Sequence, residues 1–145
     1  MTAPRNPDFE AVVRASFARQ GMMAHLGATI LELAPGRVVI AAPIRPETSQ
    51  QHGFGHAGLA FAIGDSAAGY SALSALGPGQ EVLTSEMKIH LLAPAAGRRL
   101  VAEGRVLRAG RRLLVCAADV WAEDGAVRRH AATLIGTLVP VEAGD

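Results

Sequence analysis

The sequence has few of the residues that build disulfide frameworks, aromatic clusters or strongly charged surfaces. Its 145 residues include one cysteine, Cys116, so no internal disulfide can form, and we expect a core thiol and a reducing, cytoplasmic location. Aromatic residues make up 4% and the net charge is +1, which favours neither a nucleic-acid partner nor a disordered acidic chain. The length and the many aliphatic residues predict a single domain over residues 1–145.

The sequence also lacks a convincing membrane segment. Residues 57–76 are long and apolar enough to suggest one, but Asp65 would lie near mid-bilayer at a cost of roughly 2.5 to 3.5 kcal/mol. The N-terminal residues contain no apolar run of signal-peptide length. We therefore expect residues 57–76 to form a helix buried inside a soluble protein, with no membrane partner.

Hydrophobic periodicity predicts two helices. Apolar residues at helical spacing indicate an N-terminal helix over about residues 7–20, ended at Gly21, and a longer central helix over about residues 56–76. The central helix is apolar on two faces. One stripe is expected to pack on a sheet and consists of Leu59, Ile63, Ser66, Tyr70 and Leu73. Asp65 lies on the other face, which is small and apolar, so we expect a second subunit to cover it.

Shorter apolar patterns predict six strands. Two of them, residues 28–34 and 37–43, flank the turn signal Pro35-Gly36. The other four lie within residues 81–94, 98–109, 111–122 and 128–140, and we interpret the glycine-containing segments between them as hairpin turns. In the segment 81–94, alternation places Leu83, Met87, Ile89 and Leu91 on one face and Thr84, Glu86, Lys88 and His90 on the other. The element order predicts an α+β fold with an antiparallel sheet.

One motif joins the central helix to the loop before it. The pattern Gln50-x-x-Gly53-x-x-His56-Ala57-Gly58-x6-Asp65 resembles the N/Q-x-x-G-x-x-H-G-G-x6-D/E signature of hotdog-fold acyl-CoA thioesterases of the PaaI-like (phenylacetic acid degradation) type. Three later segments are similar to further family motifs: residues 90–97, 109–113 and 135–137. The resemblance covers roughly residues 25 to 140.

The resemblance implies a fold, an activity and an assembly. It implies a hotdog fold, in which an antiparallel β-sheet wraps around a long central α-helix. It implies hydrolysis of an acyl-CoA thioester to free acid and CoA, with no cofactor other than the CoA thioester substrate. It also implies a homo-oligomer, a dimer or a tetramer, in which two protomers continue one sheet and the active site lies at the dimer interface.

The motif assigns the candidate catalytic residues. Asp65 would act as general base or as nucleophile, because a carboxylate in an apolar pocket becomes more basic. Ala57 and Gly58 begin the central helix, where free N–H groups and the positive end of the helix dipole attract a developing oxyanion. Gln50 would place an amide near the thioester carbonyl or the catalytic water. His56 would brace the loop and the helix start.

The sequence departs from the family pattern at two positions. Ala57 stands where the family has glycine, which keeps the N–H but adds a methyl group. Gly69 stands where the family has a threonine or serine, one turn after the acid, and Ser66 or Ser71 is the nearest substitute in the sequence. For the CoA phosphates the candidates are two arginine pairs, Arg98, Arg99, Arg111 and Arg112.

The sequence supports three alternatives to this function less well. A non-catalytic acyl-CoA-binding hotdog protein is the main alternative, which Gly69 favours and Asp65 opposes. A hotdog hydratase would need an Asp-x-Asn-x-x-His-like run, which the sequence lacks. His52 and His56 have a spacing that binds zinc on a helix, but Gly53 and Gly55 predict a loop there, so we expect no metal.

Overall fold

The secondary structure alternates between helical and strand segments in the predicted order, with one additional short helix. The computed structural model describes residues 3–144. The helices are α1 (Phe9–Arg19), α2 (Gly21–Leu26) and α3 (Ala57–Ala75), with a 3-10 turn at Pro46–Thr48. The strands are β1 (Thr29–Ala34), β2 (Arg37–Pro43), β3 (Gln80–Leu91), β4 (Arg99–Ala109), β5 (Leu114–Asp124) and β6 (Val127–Glu142). Gly21 was predicted to end helical structure, but it begins α2, which the sequence pattern did not predict.

The six strands form one antiparallel sheet in the order β1-β2-β4-β5-β6-β3. This sheet, packed against the long helix α3, confirms the predicted hotdog fold class. One expectation was wrong: β3 does not form a hairpin with β4 but pairs with β6 over most of its length. The segment around Gly97 is therefore a crossover connection, and β3 becomes an edge strand of the sheet.

Small residues of α3, which the predicted stripe did not include, make its closest contacts with the sheet. A Cβ added to Gly104 of β4 would lie 2.3 Å from the carbonyl carbon and oxygen of Ala67, so helix and strand backbones nearly touch. Ser71 Oγ accepts the N–H of Val38 in β2 at 3.0 Å and donates to the Ala67 carbonyl at 2.7 Å. Ser66 and Tyr70 of the predicted stripe instead form hydrogen bonds with Gln20, the residue between α1 and α2. Close helix–sheet contact requires small side chains, which explains the correction.

The chain itself covers much of the helix face that was expected to need a partner. Ala68, Ala72 and Leu76 are buried within one protomer. The expectation that a second subunit is needed to cover this apolar helix face is therefore wrong for these three residues. Cys116 is in the core as predicted, where burial raises the pKa of its thiol to about 11. Among residues 3–144 no helix is long and apolar enough to cross a membrane.

Strand β3 contains a bulge that reverses its two faces. Its pairing with β6 shifts register between Thr84 and Glu86, so that Ser85 is the extra residue. Val82, Met87 and Ile89 all pack against the core, which strict alternation does not allow. Leu83 consequently turns outward and is 61% exposed. Alternation predicted that Leu83 shares a face with Met87 and Ile89 and that Thr84 lies on the other face. This prediction was wrong because alternation cannot show a bulge.

Candidate active site

A tight turn shapes the loop before α3. The N–H of Gly53 donates to the carbonyl of Gln50 at 2.9 Å, and the N–H of Gln50 donates to the carbonyl of Phe54 at 2.8 Å. Gly53 has φ +85°, a conformation that side chains disfavour, which explains a glycine three residues after Gln50. The N–H of Gly55 donates to the Ala95 carbonyl at 2.8 Å and joins this loop to the segment after β3.

His56 is the N-cap of α3. Its Nδ1 accepts the N–H of Gly58 at 2.7 Å, and its own N–H donates to the Thr48 carbonyl at 2.9 Å. An accepting Nδ1 places the proton of the neutral ring on Nε2. These bonds fit the bracing role that was predicted for His56.

The cap leaves one amide free at the positive end of the helix. Gly58 was predicted as an oxyanion donor beside Ala57, but its N–H is taken by His56. The N–H of Ala57 has no acceptor among residues 3–144. Ala57 is therefore the donor that this helix start offers to a ligand.

Ala57, which has the free amide, lines a cavity of about 580 Å³, which we call the first cavity. Its walls come from the loop and helix start, including Gln50, Phe54 and Ala57, and from residues 91–95 at the end of β3. The Oε1 of Gln50 accepts the N–H of His52, so the side-chain NH₂ remains as its donor. The first cavity thus combines an apolar wall with a few polar groups, as ligand sites do.

Asp65 lies in a different place, in a second cavity of about 230 Å³. This cavity lies between α1, α3 and the first residues of β3. Burial raises the pKa of the Asp65 carboxyl above its usual value, and a hydrogen bond from Thr84 Oγ1 to Oδ1 at 2.8 Å partly lowers it. A carboxylate with these properties can accept a proton or attack a carbonyl carbon.

Within one protomer the predicted catalytic residues do not meet. Asp65 follows Ala57 by eight residues of the same helix, which separates them by about 12 Å along its axis. Gln50, His56 and Ala57 line the first cavity, whereas Asp65 lines the second, and the two cavities share no residue. One thioester group cannot contact both sets in a single chain.

The four candidate arginines are also separated. Arg98 and Arg99 lie at the start of β4 and pair with Asp124 at 3.2 Å and Glu123 at 2.8 Å. Arg111 and Arg112 lie beyond the other end of β4, about 30 Å away, and are exposed. In the described part of the chain neither has an ion-pair partner. One CoA cannot contact both pairs of a single protomer.

No metal-binding cluster is present in the part of the chain that the structure describes. Residues 3–144 contain no group of three His, Cys, Asp or Glu side chains arranged to hold an ion. His52 and His56 lie on the loop and at the helix N-cap, and His56 uses Nδ1 for the cap.

The sequence did not indicate several polar residues around Asp65. Thr84 contacts the carboxylate directly, and Gln20, between α1 and α2, accepts from Ser66 at 3.3 Å and donates to Tyr70 at 2.9 Å. Ser16 Oγ lies 3.2 Å from the Tyr70 hydroxyl and completes the polar wall of the second cavity. None of these residues belongs to the motif, and long-range packing of α1 on α3 brings them together.

Comparison with known proteins agrees with this architecture. A thioesterase family protein from Silicibacter pomeroyi has a TM-score of 0.91 and 41% sequence identity, covering 93% of this chain and 99% of that one. PaaI from the phenylacetic acid degradation operon of E. coli has a TM-score of 0.81 at 20% identity, covering 94% and 96%. The latter likeness concerns the fold alone. The model of the thioesterase superfamily matches residues 52–128, more than half of the chain, so this protein belongs to the thioesterase superfamily.

Proposed function

We propose that this protein is an acyl-CoA thioesterase of the PaaI-like type, which hydrolyses an acyl-CoA to free acid and CoA in the cytoplasm. The observation that carries the proposal is the free N–H of Ala57 at the start of α3, beside a cavity that Ala57 and Gln50 both line. An amide at a helix N-terminus stabilises the oxyanion that forms when a thioester is attacked. One such donor contributes about 10² to 10³ in turnover.

The second group required, a base or nucleophile, would come from a partner subunit. The first cavity lies at the end of β3, beside Leu91, and the second lies at its beginning, beside Thr84. Two copies of an edge strand that pair around a two-fold axis run antiparallel. The end of one β3 then lies beside the beginning of the other, and an axis near Met87 brings each first cavity to the partner's second cavity. Each dimer would thereby contain two complete sites.

The character of β3 supports this pairing. It is a 12-residue edge strand, and Leu83 and Leu91 on it are 61% and 59% exposed. Long edge strands with exposed apolar side chains pair readily with another chain. A homodimer, alone or within a tetramer, would cover these residues and the mouths of both cavities.

The chemistry follows from the two halves of the site. As general base, Asp65 takes a proton from water while the oxygen of that water attacks the thioester carbon. As nucleophile, Asp65 attacks that carbon itself and forms an anhydride, which water then hydrolyses. In both routes the carbonyl oxygen becomes negative beside Ala57, and the C–S bond breaks to release CoA as its thiolate.

The CoA phosphates would contact arginines from both subunits. Arg98 and Arg99 follow Ala95, which lines the first cavity, and so belong to the end of the sheet where the thioester would bind. Arg111 and Arg112 lie near the level of Thr84, because Leu114 pairs with Leu138 and Leu138 with Thr84. In the proposed dimer that level adjoins the partner's first cavity.

A panel of acyl-CoAs tests the proposal by detection of the free thiol. We expect the wild-type protein to release CoA from at least one acyl-CoA, and Asp65→Asn to lose about 10² to 10⁴ in turnover while it still folds and binds. A non-catalytic acyl-CoA-binding protein would bind members of the panel and release thiol from none of them. That result would overturn the proposed function.

A further inference from the structure

Asp65 has one hydrogen-bond donor in the part of the chain that the structure describes, the hydroxyl of Thr84. The other nearby hydroxyls are engaged elsewhere. Ser66 donates to Gln20, and Ser71 donates to the carbonyl of Ala67 in the core. Gly69, one turn after Asp65, lines the same cavity but has no side chain. Neither serine therefore substitutes for the hydroxyl that is missing at position 69.

The bulge in β3 is what directs Thr84 towards Asp65. With Ser85 as the extra residue, Thr84 is on the same face as Met87 and Ile89, which pack against the core. Bulges commonly re-aim a side chain next to an active site. The neighbouring strand accommodates this one with a glycine, since a Cβ on Gly136 would lie 2.3 Å from the carbonyl oxygen of Glu86.

We propose that Thr84 is a positioning residue for the reaction, which holds the carboxylate of Asp65 through Oδ1 and leaves Oδ2 for water or for the thioester carbon. This role rests on the proposed thioesterase function. The Thr84 hydroxyl on β3 thus replaces the helix hydroxyl that is missing at position 69. The reactive carboxylate is thereby fixed between two elements of the same protomer before a partner completes the site.

The groups around Asp65 determine how loss of the hydrogen bond from Thr84 should change the pKa of Asp65. Among residues 3–144, the second cavity holds one other carboxyl group, Glu81 on β3, and one phenol, Tyr70 on α3, while Ser16 of α1 and Gln20 after it are uncharged. No cationic side chain from this part of the chain lines it, so the Thr84 hydroxyl is the stabilising contact of the ionised form there. Without it the pKa of Asp65 rises further, because burial then acts unopposed.

Valine at position 84 removes the hydroxyl and keeps the shape. Thr84→Val should lower kcat about 10- to 100-fold with little change in KM, because a hydrogen bond to a charged group is lost from the reacting carboxylate. The acid limb of the kcat/KM profile should move to higher pH. Thr84→Ser should restore both properties.

A threonine on the opposite face of the sheet provides the matched control. Thr137 Oγ1 donates to Glu86 Oε1 at 3.3 Å, so Thr137→Val also removes a threonine–carboxylate bond, but one on the sheet face that points away from α3 and Asp65. It should leave kcat and the acid limb unchanged. A Cβ at Gly69 would meet only Leu138 Cδ2, at 3.8 Å, so Gly69→Ser fits the structure. Combined with Thr84→Val, it should recover part of the lost kcat.

The outcomes separate this proposal from the function on which it rests. If the wild-type protein is active and Thr84→Val keeps its kcat and acid limb, the positioning role is overturned and the thioesterase function stands. If Thr84→Val and Thr137→Val lower kcat equally, the effect is general and the role is again overturned. If the wild-type protein releases thiol from no acyl-CoA, the proposed function is overturned, and the positioning role with it.

Discussion

The Nδ1 of His56 accepts the N–H of Gly58 at 2.7 Å, and this bond decides which amide at the helix start is free. The family-like motif places two candidate donors side by side, Ala57 and Gly58. The cap engages the second and leaves the first free beside the cavity that Gln50 lines. The histidine of the motif therefore determines that Ala57, and not Gly58, has the amide left for the proposed oxyanion, in addition to bracing the loop.

Proline at position 57 should remove this donor with little damage to the helix. Ala57 is the first helical residue, where proline is well tolerated, and His56 already has the extended backbone (φ −63°, ψ 145°) that a following proline requires. Ala57→Pro should lower turnover about 10² to 10³-fold. Ala57→Gly, which keeps the N–H, should retain turnover or raise it for bulky acyl groups. Thiol release and helix content by circular dichroism check both variants, and full turnover in a folded Ala57→Pro protein would exclude the donor.

Asp65→Asn should stabilise the protein at pH 7. Burial raises the folded-state pKa of Asp65 above the value in the unfolded chain, so ionisation of this group opposes folding. This destabilisation is absent below the unfolded-state pKa, where both states are protonated, and it grows as the pH rises through the folded-state pKa. The thermal midpoint of Asp65→Asn should therefore exceed that of the wild type at pH 7, and the two should converge in acid.

Thermal scans of both proteins from pH 3 to pH 8 measure this difference. Asparagine still accepts a hydrogen bond from Thr84 through Oδ1, so the comparison isolates the charge. A less stable Asp65→Asn protein at pH 7 would indicate a structural aspartate and would contradict the account.

Gly104→Ala should destabilise the fold strongly. Its Cβ would lie 2.3 Å from the Ala67 carbonyl and 2.7 Å from the Ala68 nitrogen, and these backbone atoms cannot move aside as a side chain does. Overpacking of this kind costs about 1 to 3 kcal/mol or more. Gly21→Ala is the control, because no atom lies within 4 Å of a Cβ there and the substitution should be neutral or slightly stabilising. Urea unfolding midpoints of the two variants should differ clearly, and equal midpoints would contradict the observed helix–sheet contact.

Local patterns were sufficient to predict most of the elements. The predicted central helix, about residues 56–76, differs by one residue at each end from α3, Ala57–Ala75, because a histidine cap and a Gly-Pro-Gly segment bound it. The β1–β2 turn was also predictable, because Pro35-Gly36 marks it with residues typical of turns. Strand order was not predictable in this way, since β3 pairs with β6 across a long sequence separation and nothing in β3 itself specifies its partner.

The candidate site was predictable only in part. The motif identified Asp65, Gln50, His56 and Ala57, whose types and spacing carry chemical information. It did not identify Thr84, because alternation placed that residue on the wrong face and the bulge at Ser85 leaves no clear mark in the sequence. It could not show which protomer supplies each residue of a site, since the separation of Ala57 and Asp65 by about 12 Å along one helix axis follows only from their place on the same helix.

If each active site combines Ala57 of one protomer with Asp65 of its partner, two variants that are inactive alone should complement each other when their subunits are mixed. Asp65→Asn and Ala57→Pro are co-expressed in equal amounts, and light scattering checks that the product is at least twice the 15.0 kDa chain mass. If subunits pair at random, about a quarter of the sites receive both native groups, in a dimer or a tetramer.

We therefore expect the mixture to regain about a quarter of the wild-type rate of thiol release, whereas each variant alone should stay at or below about a hundredth. A mixture that is no more active than its two folded, oligomeric parents would contradict the shared site.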